Sequence, residues 1–175
     1  MLEAVILEAM LRAADVPTMR AERERLAPVA AAIATEAASS EIFEGPRGTE
    51  AGALLLVAIG RHESEFREEV RRCQRSGDQG RSIGTYQLMG PWAWHGESRT
   101  TICADDTLQA RLSLRVLGIY RSKCGAATRS MIQAYASGSC GKRSKAAEDI
   151  ESGFLALLRT RRIVVTGRNA RAQAD

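Results

Sequence analysis

Apolar residues recur at helical spacing along most of this chain. Leu2, Val5, Ile6, Ala9, Met10 and Ala13 share one face, and Asp15-Val16-Pro17-Thr18 then breaks the pattern, which predicts a short first helix. The charged stretch Ala21 to Arg25 leads to Pro28, a residue suited to a helix's first turn, so a second helix is predicted over Val29 to Ala38. After the loop Gly45 to Gly48, Thr49 stands as the N-cap of a central helix over about Glu50 to His62, with Leu54, Leu55, Ala58 and Ile59 facing inward. Arg67 to Trp94 is broken by arginines and glycines and is expected as loop, with a small hairpin near Gly77 to Gly84. Helical spacing then resumes. Asp105 or Asp106 caps a helix with the stripe Leu108, Leu112, Val116, Ile119 and Tyr120. Ala126 to Ala136 forms another, closed by Ser137-Gly138, and Ser144 to Arg161 a last one burying Ile150, Phe154, Leu157 and Leu158. Strand-like alternation is nearly absent, so the fold class expected is mostly α with a small loop or hairpin region.

A chain of 175 residues can bury one good core, since a domain of this size removes about two-thirds of its unfolded surface from water. The expected organisation is an N-terminal helical extension over residues 1–48, a main domain over 49–165 and a flexible tail over 166–175. The net charge of +4 is modest and interspersed with acidic residues, unlike the concentrated basic face of most nucleic-acid binders. Nucleic acid is therefore not an expected partner. No run approaches the roughly 18 apolar residues of a membrane span. Met1 to Arg12 carries Glu3 and Glu8 inside its apolar pattern, without a basic start or small-residue cleavage site, and is not read as a signal peptide.

Four cysteines, Cys73, Cys103, Cys124 and Cys140, allow two disulfides in three pairings. At least one bridge is expected, which would suit an oxidising compartment. No Cys-x-x-Cys pair occurs and the two histidines lie outside metal-ligand spacing, so neither a metal site nor a cofactor is expected.

Glu63 is the leading candidate for chemistry. It closes the apolar run Ala53 to Ile59, where apolar neighbours and the negative end of a helix dipole both disfavour a charged carboxylate. A carboxylic acid kept protonated near neutral pH is what cleavage of a sugar-sugar bond requires, because the leaving oxygen must receive a proton. Among Glu65, Glu68 and Glu69 it could equally be an ion-pair partner of Arg61 or Arg67. Behind it, Gly77 to Gln87 interleaves glycines with Asp78, Ser82 and Gln87, which would let a main chain approach a bulky substrate while polar groups meet its hydroxyls. Read blandly, that segment is a surface turn. Trp92 and Trp94 offer either a stacking surface for a sugar ring or core anchors, the latter expected for at least one.

Three motifs in order, over about Ala51 to Leu158, make the chain resemble the lysozyme-like superfamily, specifically soluble lytic transglycosylase and goose-type lysozyme domains. Glu63-Ser64-Glu65-Phe66 is similar to the catalytic signature at the end of a helix. Gly84-Thr85-Tyr86-Gln87-Leu88-Met89 is similar to the family's Gly-x-x-Gln-x-Met segment, and Ala134-Tyr135-Ala136-Ser137-Gly138 to its later Ala-Tyr-Asn-Ala-Gly. The resemblance implies a lysozyme-like fold, with Glu63 as catalytic acid and then base. It implies Ser64, Ser82, Gln87 and the backbone of Gly84 at the sugar subsite, and Tyr135 beside Glu63; on periodicity alone Tyr135 is equally a core tyrosine. Asp78 lies in a Gly-Asp-x-Gly element that goose-type enzymes use to help place water, but Met89 stands where they have another aspartate. That departure favours lytic transglycosylase over hydrolase. Ala136 and Ser137 depart from the family's asparagine and alanine. The partners implied are peptidoglycan glycan strands, met at an extracytoplasmic site (virion-associated, periplasmic or secreted), with phage structural proteins as further partners. The competing expectation is a non-catalytic structural or wall-binding protein, such as one in a phage particle, that keeps the scaffold.

Overall fold

The computed structural model describes residues 1–13, 20–75 and 77–162; the expected break at Asp15 to Thr18 and the expected tail lie outside them. Among the described residues there are nine helices: α1 (Leu2–Ala13), α2 (Arg20–Ala38), α3 (Gly48–Ser64), α4 (Glu68–Arg71), α5 (Gly90–Trp94), α6 (Arg99–Ala104), α7 (Asp106–Cys124), α8 (Thr128–Ser137) and α9 (Lys145–Arg161). Two short strands, β1 (Ser82–Ile83) and β2 (Leu88–Met89), pair antiparallel. The chain is thus mostly α, and no described helix is long and apolar enough to cross a membrane.

α3 is the axis of the molecule because its sequence leaves it no wet face. Every residue from Ala51 to Gly60 is buried, as expected for a helix that is apolar all round. α1, α2, α7 and α9 pack around it, and Ile6, Met10, Leu26 and Ile33 join Leu54, Leu56, Ile59 and Phe154 in one buried cluster. The N-terminal helices therefore share the core of the rest. A smaller cluster, with Ile83, Leu88, Ile102, Leu112 and Val116, sits under the hairpin.

Several boundaries differ from the sequence expectation. α2 begins at Arg20, so Pro28 lies inside it rather than at its start. A proline there forfeits a backbone bond to the carbonyl four residues earlier, at a cost of about 3 kcal/mol. Pro28 and Glu24 are both exposed, so water can satisfy that carbonyl, while Leu26, Val29, Ala30, Ile33 and Ala37 are buried. Thr49 is not an N-cap: α3 starts at Gly48, after a turn in which the Gly48 N–H donates to Gly45 O (3.0 Å). The stretch expected as loop contains α4 and α5, and its hairpin lies later than expected, in the register Ser82 with Met89 and Ile83 with Leu88. The predicted cap of α7 does hold, at Asp105, which accepts from Thr107 N and Leu108 N; α9 is capped by Ser144, which accepts from Ala147 N. Both pairs of cysteines are bridged, Cys73 to Cys103 and Cys124 to Cys140, with Cα atoms 5.5 and 5.3 Å apart.

Candidate active site

Helix α3 stops abruptly, and the manner of its stopping sets Glu63. Ser64 Oγ donates back to Gly60 O (2.9 Å) and accepts from Phe66 N (3.1 Å). Glu65 and Phe66 then take left-handed angles (φ 51° and 55°) that turn the chain sharply, a conformation costly for residues with side chains. The Phe66 ring folds under Gly60, where a Cβ would come within 2.5 Å of its edge. Ser64 is thereby fully buried with its hydroxyl engaged on the helix itself. It is not among the residues that line the cleft.

Glu63, one residue earlier, faces a cleft of about 670 Å³. Its walls come from the end of α3, the turn at Gly77 to Ser82, the hairpin, α5, one face of α7 and the end of α8. Arg61 and His62 face a different groove, between α2, α3 and α9. Glu63 is mostly buried and has no ion pair among the described residues, so neither Arg61 nor Arg67 neutralises it. Burial, and after it the field of the Asp78 carboxylate, push its pKa up to about 7 from an ordinary 4.5. Near neutral pH it can therefore hold a proton and still give it up.

Asp78 lines the same cleft. It and Gln79 adopt left-handed angles (φ 47° and 56°), and Ser82 Oγ donates to Asp78 Oδ2 (2.9 Å). Gln87, itself at φ 48°, reaches the cleft wall but spends its amide locally: Oε1 accepts from Gly77 N (3.1 Å) and Nε2 donates to Gly84 O (3.0 Å). It ties the two ends of the glycine-rich segment together. Tyr135 also lines the cleft and donates its hydroxyl to Tyr86 O (2.7 Å). Burial, and next the nearby Glu63 carboxylate, hold its phenol well above the ordinary 10. The structure thus brings Glu63, Asp78, Ser82, Gln87 and Tyr135 to one cavity.

Gly84 is corrected. Its position at φ +74° is buried beneath the hairpin, where a Cβ would lie 2.6 Å from Gln109 Oε1, so it serves the turn and not the cleft surface. Gln109 itself escaped the sequence reading. Fully buried on α7, it accepts from Thr85 N (2.7 Å) and donates to Arg71 O (3.0 Å) and Ile102 O (2.9 Å), so one amide joins the hairpin to α4, α6 and α7. A polar residue within an apolar stripe was the available signal. The arginines at 61, 67, 71, 72, 75 and 81 line none of this cleft; Arg71 is instead buried between Glu68 (2.6 Å) and Asp106 (2.7 Å). The tryptophans divide: Trp94 Nε1 donates to Leu88 O (3.1 Å) in the hairpin core, whereas Trp92 is half exposed on the cleft rim.

Compared with known protein families, curated proteins and solved structures, the chain matches none at a significant level.

Proposed function

We propose that this protein is a lysozyme-like glycosidase that cleaves the β-1,4 bond between N-acetylmuramic acid and N-acetylglucosamine in peptidoglycan, acting as a lytic transglycosylase. The observation that carries the reading is a cleft-lining Glu63 with a pKa near 7 and no ion pair among the described residues. The three motifs that resemble the family converge on that cleft through Glu63, Gln87 and Tyr135.

In this mechanism protonated Glu63 donates to the glycosidic oxygen as that bond breaks and the sugar carbon gains oxocarbenium character. The carboxylate left behind then accepts the proton of the sugar's own 6-hydroxyl, whose oxygen bonds to the same carbon and closes a 1,6-anhydro ring. Glu63 ends protonated, and no water is consumed. Tyr135, its hydroxyl committed to Tyr86 O, supports the carboxyl by packing. A second reading, hydrolysis, is favoured by Asp78, whose carboxylate lines the same cleft and could orient a water. The test is turbidity clearing of purified cell walls by the parent protein and by Glu63→Gln, which keeps the shape and removes the acid. Clearing by the parent and at least a hundredfold loss in the variant, the scale of a lost general acid, are expected. An inert parent would instead support a non-catalytic wall-binding scaffold.

A further inference from the structure

Helix α7 turns four residues toward the cleft, Val116, Ile119, Tyr120 and Lys123, at the i, i+3, i+4, i+7 spacing of one helical face. Trp92, 48% exposed, meets Tyr120 edge to face, with ring centroids 5.9 Å apart and planes at 77°. Half-exposed aromatic rings on a cleft wall suit the apolar C–H face of a sugar. At the end of this stripe stands Lys123. Among the described residues it is the one cation that lines the cleft, it is exposed, and no carboxylate pairs with it.

Its place is held covalently. The next residue, Cys124, is bridged to Cys140, which also lines the cleft, so the backbone carrying Lys123 is tied to the wall formed by the end of α8. Lys142 and Arg143 follow Cys140 by two and three residues, are exposed, and have no ion-pair partner among the described residues. Charge in the cleft is therefore divided by element: among the described residues its carboxylates, Glu63 and Asp78, come from α3 and the Gly77 to Ser82 turn, and its cation, Lys123, from α7, with Lys142 and Arg143 outside the lining. An acidic substituent on a bound sugar would be repelled by the first set and drawn to the second.

Resting on the glycan-cleaving reading of the same cleft, we infer that Lys123 is a specificity-determining residue that selects an amino sugar bearing a carboxylate over its neutral counterpart, with Trp92 and Tyr120 as the ring platform beside it. An exposed lysine contributes by a screened ion pair, so the preference is modest and salt-sensitive.

The experiment measures binding to the Glu63→Gln protein, which does not cut its ligand, using two probes of equal length. One is an alternating N-acetylglucosamine and N-acetylmuramic acid tetrasaccharide with free lactyl carboxylates, and the other is neutral chitotetraose. A preference of about fivefold for the acidic probe is expected at low salt, shrinking toward one in about 0.5 M salt. Adding Lys123→Gln should bring the low-salt ratio close to one, and Lys123→Arg should restore it. A ratio unchanged by Lys123→Gln, or equal binding of both probes before that change, overturns the assignment while leaving the glycan reading intact. Binding of neither probe overturns both.

Discussion

A carboxyl whose pKa is about 7 when folded and 4.5 ordinarily couples the stability of this protein to pH. The sign is set by proton counting: between those values the folded state holds a proton that the unfolded chain has released, so stability falls as pH rises. Below about pH 4.5 both states are protonated and no penalty exists; above 7 the folded protein carries a buried, unpaired charge. Glu63→Gln removes that penalty. Chemical denaturation should find the variant more stable than the parent by on the order of 3 kcal/mol at pH 8, with the difference gone at pH 4. Equal stabilities at pH 8 would mean that Glu63 is not desolvated. The same titration bears on activity: an acid that must be protonated loses its working form above its pKa, so turnover on cell walls should decline through pH 7. Activity that keeps rising to pH 9 would contradict the role given to Glu63.

At the level of elements, the cleft depends on a hairpin too short to hold itself, since β1 and β2 contribute two residues each. Gln109 and Gly84 supply what the strands lack. Gln109→Ala would leave Thr85 N and Arg71 O without their partner, while Ile102 O keeps its bond from Asp105 N, and unsatisfied buried groups cost about 1 to 3 kcal/mol each. A loss of roughly 3 kcal/mol is expected in denaturant unfolding, together with weakened wall clearing, because Asp78 and Gln87 ride on the segment that Gln109 anchors. A loss below about 0.5 kcal/mol, the range of an ordinary surface change, would show that the hairpin is held by other means. Here too lies the boundary of what the sequence could reveal. Helices with an apolar stripe and a capping residue, α7 and α9 above all, are legible because local spacing and capping chemistry decide them. α2 is not, because the burial of Leu26, Val29 and Ile33 overrides a proline that locally argues for a start. Glu63, Asp78, Gln87 and Tyr135 could be named from motifs, whereas the inward turn of Ser64 and the burial of Gly84 follow from tertiary contacts with Gly60, Phe66 and Gln109 that no local pattern encodes.

Across the whole molecule, one core around α3 is supplemented by two covalent links on the cleft side. Their sequence separations of 30 and 16 residues correspond to about 3 to 4 kcal/mol each in the chain-entropy model of the unfolded state. Reduction should therefore lower the stability of the whole domain by several kcal/mol. A midpoint of thermal unfolding that is unmoved by reductant would show that the bridges do not constrain the unfolded chain. All of this structure serves one claim, that Glu63 delivers a proton to a glycosidic oxygen in the cleft. Mass analysis of the fragments released from purified peptidoglycan tests that claim most directly. Soluble muropeptides ending in an anhydro sugar, one water lighter than reducing ends, are expected from the parent and none from Glu63→Gln. Fragments released equally by both proteins would contradict it.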